Sequence, residues 1–81
     1  MKVVLTDRAI EALKDAPSAV QRAFDKQLCF LADSLQHPSL RAKKFDEANA
    51  VCQARVNRDW RFYFTIQGDR YIITNVIPHP K

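Results

Sequence analysis

Arg55 and Arg61 are the side chains best placed to do chemistry in this sequence. The stretch Ala50-Val-Cys-Gln-Ala-Arg-Val56 alternates small or apolar residues with others, and so does Trp60-Arg-Phe-Tyr-Phe-Thr-Ile66. Alternation at period two marks half-buried strands. Joined through Asn57-Arg58-Asp59, the two strands set Val56 opposite Trp60, Ala54 opposite Phe62 and Cys52 opposite Phe64, which makes the core face. The other face then pairs Arg55 with Arg61 and Gln53 with Tyr63. Like charges directly opposite one another destabilise a sheet. A chain that keeps two guanidinium groups there, with Arg58 in the adjoining loop, is built to meet an anion. Guanidinium is the group of choice for phosphate, because it stays charged and offers paired donors.

The distribution of charge agrees. The chain has 81 residues and a formal charge of +4. Up to residue 40, Lys2, Arg8, Lys14, Arg22 and Lys26 are balanced by Asp7, Glu11, Asp15, Asp25 and Asp33. Beyond it, Arg41, Lys43, Lys44, Arg55, Arg58, Arg61, Arg70 and Lys81 face only Asp46, Glu47, Asp59 and Asp69. The excess suits a nucleic acid or an acidic protein partner. Cys29 and Cys52 make no disulfide framework, and His37 and His79 share no ligand spacing with them, so no metal and no cofactor is expected. The apolar runs are too short to span a bilayer, and Met-Lys-Val-Val-Leu-Thr-Asp lacks the apolar core of a signal peptide. No membrane association and a cytoplasmic location follow as expectations.

The elements that must hold the arginines can be read in order. Length predicts one domain over residues 1–81, with a core small enough to gain from a partner. Lys2 to Leu5 reads as a strand. Thr6 caps a helix over Asp7 to Ala16, and Pro17 ends it. Ser18-Ala-Val-Gln21 has the form of a capping box opening a second helix to about Gln36, with Val20, Ala23, Phe24, Gln27, Leu28, Leu31 and Leu35 along one face. After His37-Pro38 comes a basic connection with a short edge strand around Lys43 to Phe45. Gly68-Asp69 predicts a type II′ turn into a last strand, Tyr71 to Ile77. If Gln67 pairs with Arg70, Ile66 meets Tyr71, Phe64 meets Ile73 and Trp60 meets Ile77, and Ile72, Thr74 and Val76 share the face of Arg61 and Tyr63. The expected fold is α+β in two layers: an N-terminal strand, a helical hairpin covering the Trp60/Phe62/Phe64 face, and an antiparallel meander whose arginine face stays open.

Three segments make the chain similar to a known family: His-Pro-Ser-Leu-Arg-Ala-Lys-Lys at 37–44, Ala-Arg-Val-Asn-Arg-Asp-Trp-Arg-Phe-Tyr-Phe at 54–64, and Ile-Pro-His-Pro-Lys at the end. In this order they resemble the RelE/ParE toxin superfamily, and the resemblance spans the whole chain. It implies a toxin of a type II toxin–antitoxin system, neutralised by a cognate antitoxin. In the RelE branch it implies metal-independent cleavage of ribosome-bound mRNA; in the ParE branch, inhibition of DNA gyrase. Arg61 matches the arginine implied to contact the scissile phosphate, Arg55 a basic position on the preceding strand, and Lys43 and Lys44 the lysines entering it. His79 falls where some members carry a catalytic His or Arg. Arg41 lies near the place of one branch's acidic base, and the Tyr-bearing tail of many nucleolytic members has no match. A fold that only binds an antitoxin or nucleic acid is therefore a further alternative.

Cleavage by the RNA's own 2′-hydroxyl needs a proton acceptor, charge stabilisation at phosphorus and a proton for the leaving oxygen. Arg61 and Arg55 suit the second role. His79 suits the third, since an imidazole titrates near neutrality. Lys43, Lys44, Arg41, Arg58 and Lys81 could hold RNA phosphates. Tyr63 could stack on a base, and Asp46 or Glu47 could accept a proton. Each has a plainer role: Arg61 paired with Asp59 on a solvated strand, His79 in an exposed tail, Tyr63 packed on Thr74.

Overall fold

Five strands and two helices account for most of residues 2–79, the part of the chain that the computed structural model describes. Strand β1 (Lys2–Leu5) leads into α1 (Asp7–Lys14) and α2 (Ser18–Asp33). A 3-10 turn (Pro38–Leu40) connects to β2 (Lys43–Asp46), β3 (Val51–Arg55), β4 (Trp60–Gln67) and β5 (Arg70–Pro78). The sheet order is β1-β5-β4-β3-β2. β1 runs parallel to β5 and every other pair is antiparallel. This is the expected α+β architecture, with both helices on one face of the sheet.

Local chemistry explains the helix boundaries. The Thr6 hydroxyl accepts from the Ala9 amide at 3.2 Å, capping α1. The expected capping box on α2 does not form. Pro17 is the N-cap residue and offers no side-chain bond. Gln21 instead turns back to donate to the carbonyls of Leu13 (2.9 Å) and Ala16 (3.2 Å), satisfying the end of α1. Val20, Phe24, Gln27 and Leu31 form the buried stripe of α2, and Phe24 packs edge-on against Phe62 with ring centres 5.4 Å apart. Phe62, Phe64, Ile73 and Val76 complete the core from the sheet, and Leu40 drops into it from the 3-10 turn.

The β3–β4 register is the one read from the alternation: Cys52 with Phe64, Gln53 with Tyr63, Ala54 with Phe62, Arg55 with Arg61. The β4–β5 ladder departs from the unbroken register. From Gln67–Arg70 to Phe64–Ile73 it runs as expected, but Tyr63 then pairs with Asn75, leaving Thr74 as an extra residue. One inserted residue reverses the facing of everything after it. Val76 therefore lies opposite Phe62 in the core, 1% exposed, rather than on the arginine face. Ile77, rather than Val76, faces Arg61.

The bulge is held by side chains. Thr6 donates its hydroxyl to the Ile73 carbonyl (3.0 Å) and Thr74 its own to the Tyr63 carbonyl (3.3 Å). The Asn75 amide oxygen accepts from the Val76 N–H at 3.0 Å. The same cap residue thus starts α1 and fixes the irregularity in β5. Gly68, at φ +61°, opens the two-residue turn between β4 and β5 as the sequence requires.

Candidate nucleic-acid interface

The bulge has a direct effect on the site. In an unbroken ladder His79, two residues beyond Ile77, would share the helix-side face. With Thr74 inserted it falls on the face of Arg61, and its N–H extends the ladder by donating to the Asp59 carbonyl at 2.7 Å. A cavity of about 210 Å³ results, lined by Arg41, Lys43, Gln53, Ala54, Arg55, Arg61 and His79. Residues from five segments converge there: the turn before β2, β2, β3, the start of β4, and the residue that follows β5.

Arg61 occupies the cavity wall in a particular way. Its Nη1 donates to the carbonyls of Asn57 (2.8 Å) and Trp60 (2.9 Å), and more distantly to that of Arg58 (3.4 Å). The Asn57 amide oxygen in turn accepts from the N–H groups of Asp59 (2.9 Å) and Trp60 (3.0 Å). Arg61 is thereby pre-set by the loop rather than by a carboxylate, and the plainer alternative, a pairing with Asp59, is not formed. The other Arg61 nitrogens make no hydrogen bond among the described residues. The Arg55 side chain makes none either, while its carbonyl accepts from Gln27 Nε2 at 2.7 Å.

Among the described residues no carboxylate pairs with this cluster. The one ion pair among the described residues is Lys14–Glu11, at 3.9 Å on α1. Arg41, Lys43, Arg55 and Arg61 thus have no acidic side chain among the described residues competing with a ligand. Arg41 also adopts the left-handed conformation, φ 46°, which costs a residue with a Cβ about 1 kcal/mol. That conformation turns the chain from the buried Leu40 to the exposed edge and aims Arg41 at the cavity.

Other sequence candidates fall elsewhere. Lys44 pairs with Cys52 and points to the opposite face from Lys43, as neighbours on a strand must. Arg58 stays exposed in the loop and does not line the cavity. Lys81 lies outside the described residues. Tyr63 is on the expected face but buried: its hydroxyl accepts from Gln53 Nε2 at 3.0 Å, and its ring meets the edge of Phe45 at 4.9 Å. As placed, it supports the surface instead of offering a ring to a base. Phe45, 60% exposed, is the aromatic presented to solvent. A bulge between Lys44 and Asp46 swings it over Tyr63. Sequence reading missed Phe45 and Gln53; the clue was an aromatic ring following two lysines. Asp46 is bonded to Asn49 through the side-chain amide (2.8 Å) and the backbone N–H (3.2 Å). These bonds hold its carboxyl below the ordinary carboxylate value, which makes it a weak proton acceptor.

Solved structures with the same architecture decide the fold. YafQ from E. coli superposes with a TM-score of 0.79 at 11% identity, over 96% of this chain and 92% of that one. The chain has the RelE-like toxin fold. A YoeB/ParE toxin from Agrobacterium tumefaciens gives 0.80 at 12% identity, covering 99% of this chain and all (100%) of that one. The RelE of an archaeal RelE–RelB complex from Pyrococcus horikoshii gives 0.77 at 18%, covering 95% and 92%. No protein-family model and no curated protein matches the sequence. The RelE-like fold is thus carried here by a sequence far from those of its structural neighbours. No helix of the described residues is long and apolar enough to cross a membrane.

Proposed function

We propose that this protein is the toxin of a type II toxin–antitoxin system and cleaves ribosome-bound mRNA in the cytoplasm without a metal. The supporting observation is the cavity in which Arg41, Lys43, Arg55, Arg61 and His79 converge, with no carboxylate among the described residues that line it. Such a site suits a phosphodiester whose charge grows in the transition state. The RNA 2′-oxygen attacks phosphorus as the bond to the 5′-oxygen breaks. Arg55 and the free nitrogens of Arg61 hold the non-bridging oxygens. Lys43 stabilises the developing 2′-alkoxide, whose proton passes to solvent, since the described residues that line the cavity include no carboxylate. The His79 imidazolium gives its proton to the departing 5′-oxygen.

Structural neighbours were solved as complexes with antitoxins, RelE with RelB and YafQ with DinJ. A small acidic antitoxin fits this chain, with its excess of positive charge in the second half. The test is induction in cells followed by primer extension on abundant transcripts. Discrete breaks that vanish with Arg55→Ala support the reading; growth arrest without breaks overturns it. A second reading, a domain that binds antitoxin or nucleic acid without cleaving, draws support from the commitment of Arg61 Nη1 to loop carbonyls. Harmless induction with retained complex formation would favour it, and inhibition of supercoiling would mark a gyrase-directed toxin instead.

A further inference from the structure

The basic cavity does not end at Arg55. Beside it, between α2 and the 3-10 turn, lies a groove of about 510 Å³ that shares Arg41 and Arg55 with the cavity. It adds Lys26, Gln27 and Phe30 from α2, and Ser39. Resting on the RNA-cleaving reading above, we infer that this groove is a second nucleotide subsite, which holds the residue of the RNA strand next to the one being cut.

The chemistry of the walls supports this assignment. Lys26, Arg41 and Arg55 have no carboxylate partner among the described residues. Arg41 and Arg55 stand at the junction of the two spaces, where a strand passing from one to the other must place a phosphate. The Lys26 ammonium lies 5.9 Å from the centre of the Phe30 ring, and that ring stacks on His37 with centres 3.8 Å apart. Phe30, backed by His37, thus gives the groove an aromatic side with a cation beside it, which suits a base and its phosphate.

Gln27 supplies a polar contact with defined orientation. It is 6% exposed, and Nε2 donates to the carbonyls of Ser39 (2.9 Å) and Arg55 (2.7 Å). Two carbonyl partners fix which end of the amide is nitrogen. The oxygen accepts no hydrogen bond among the described residues, yet no fully buried side-chain polar atom is left unpaired. Gln27 lines the groove, and its Oε1, unpaired among the described residues, is the acceptor it can offer to an N–H on the edge of a base. The amide bonds that hold Arg55 in place also orient this acceptor.

The full chain should be titrated with a 2′-O-methyl RNA trinucleotide, which cannot be cut, and with a 2′-O-methyl mononucleotide bisphosphate, following backbone amides by NMR. The trinucleotide should shift Lys26, Gln27 and Ser39 together with Arg55 and Arg61; the mononucleotide should shift only the Arg55 and Arg61 region. Lys26→Ala, an exposed change, should lower the slope of log affinity against log salt for the trinucleotide by about 0.7 and leave the mononucleotide unaffected. Trinucleotide shifts confined to the cavity, with unchanged Lys26→Ala binding, would overturn the second subsite and spare the cleavage reading. Failure of both ligands to bind would overturn the second subsite, while the cleavage reading stands or falls on the primer extension.

Discussion

The Arg61 guanidinium donates to the Asn57 carbonyl at 2.8 Å, so the side chain that faces the cavity also ties the loop joining β3 to β4. Arg55, its cross-strand partner, carries no such duty. The two positions should therefore respond differently to removal. Arg61→Ala should lose activity and also about 1–2 kcal/mol of stability from its loop hydrogen bonds. Arg55→Ala should lose activity with the unfolding midpoint nearly unchanged, and should gain slightly if cross-strand repulsion dominates. Thermal unfolding of both variants, beside growth after induction, separates the roles. Equal destabilisation at the two positions would contradict the geometry.

Thr74 is the extra residue of β5, and its deletion gives a sharp test of the register. With Tyr63 already opposite Asn75, removing Thr74 straightens the ladder without reversing any other side chain. The deletion variant should fold, keep Val76 in the core and keep His79 beside Arg61. Cross-strand NMR contacts between Arg61 and Ile77 report this directly. If the ladder were unbroken in the parent, the same deletion would turn Val76 and His79 to opposite faces, and those contacts would be newly formed rather than retained.

Gln27→Leu keeps the volume of a buried helix residue but removes both of its donors. The carbonyls of Ser39 and Arg55 are then left without their partner, at a cost of about 2 kcal/mol. Urea unfolding should show a lower midpoint with an unchanged slope. A variant as stable as the parent would mean that solvent reaches both carbonyls easily.

The Asp46–Asn49 contact predicts a response to acid. Asn49 favours the ionised carboxylate and lowers the Asp46 pKa below its ordinary 3.8. The folded value lies under the unfolded one, so this contribution to stability is present above about pH 4 and is lost as pH falls through the folded value. Carbon NMR titration of the Asp46 carboxyl should show its midpoint rising toward the ordinary value in Asn49→Ala. An unchanged midpoint would rule out the amide as the cause.

Much of the sheet was legible because β3 and β4 alternate cleanly: Ala54, Phe62 and Phe64 on one side, Arg55 and Arg61 on the other. The last strand was less so, because Ile72-Ile73 and Val76-Ile77 are apolar on both faces and period two cannot choose between them. Asn75 held the missing clue. An unbroken register would have set its amide against Phe62 in the core, where burial without a partner is costly. Of the site, Arg41, Lys43, Arg55, Arg61 and His79 were legible as residue types, and the structure brings them together. Lys44, Arg58 and Tyr63 fall outside the cavity for separate reasons: Lys44 alternates to the opposite face, Arg58 stays in the exposed loop, and Tyr63 is covered by Phe45, which the bulge after Lys44 swings over it. Gln27 stood out only as a polar interruption of an apolar stripe; its bonds to Ser39 and Arg55 join segments distant in sequence.

The lack of acidic neighbours around those cations has a bearing on how the molecule tolerates its surroundings. Most folded chains held by surface ion pairs soften as electrolyte is added. Here the net charge is +4 and the described residues hold one ion pair, so screening relieves more repulsion than it costs in attraction. Sodium chloride should raise the melting temperature of the purified protein, and polyvalent anions such as sulfate or phosphate should raise it further at equal ionic strength.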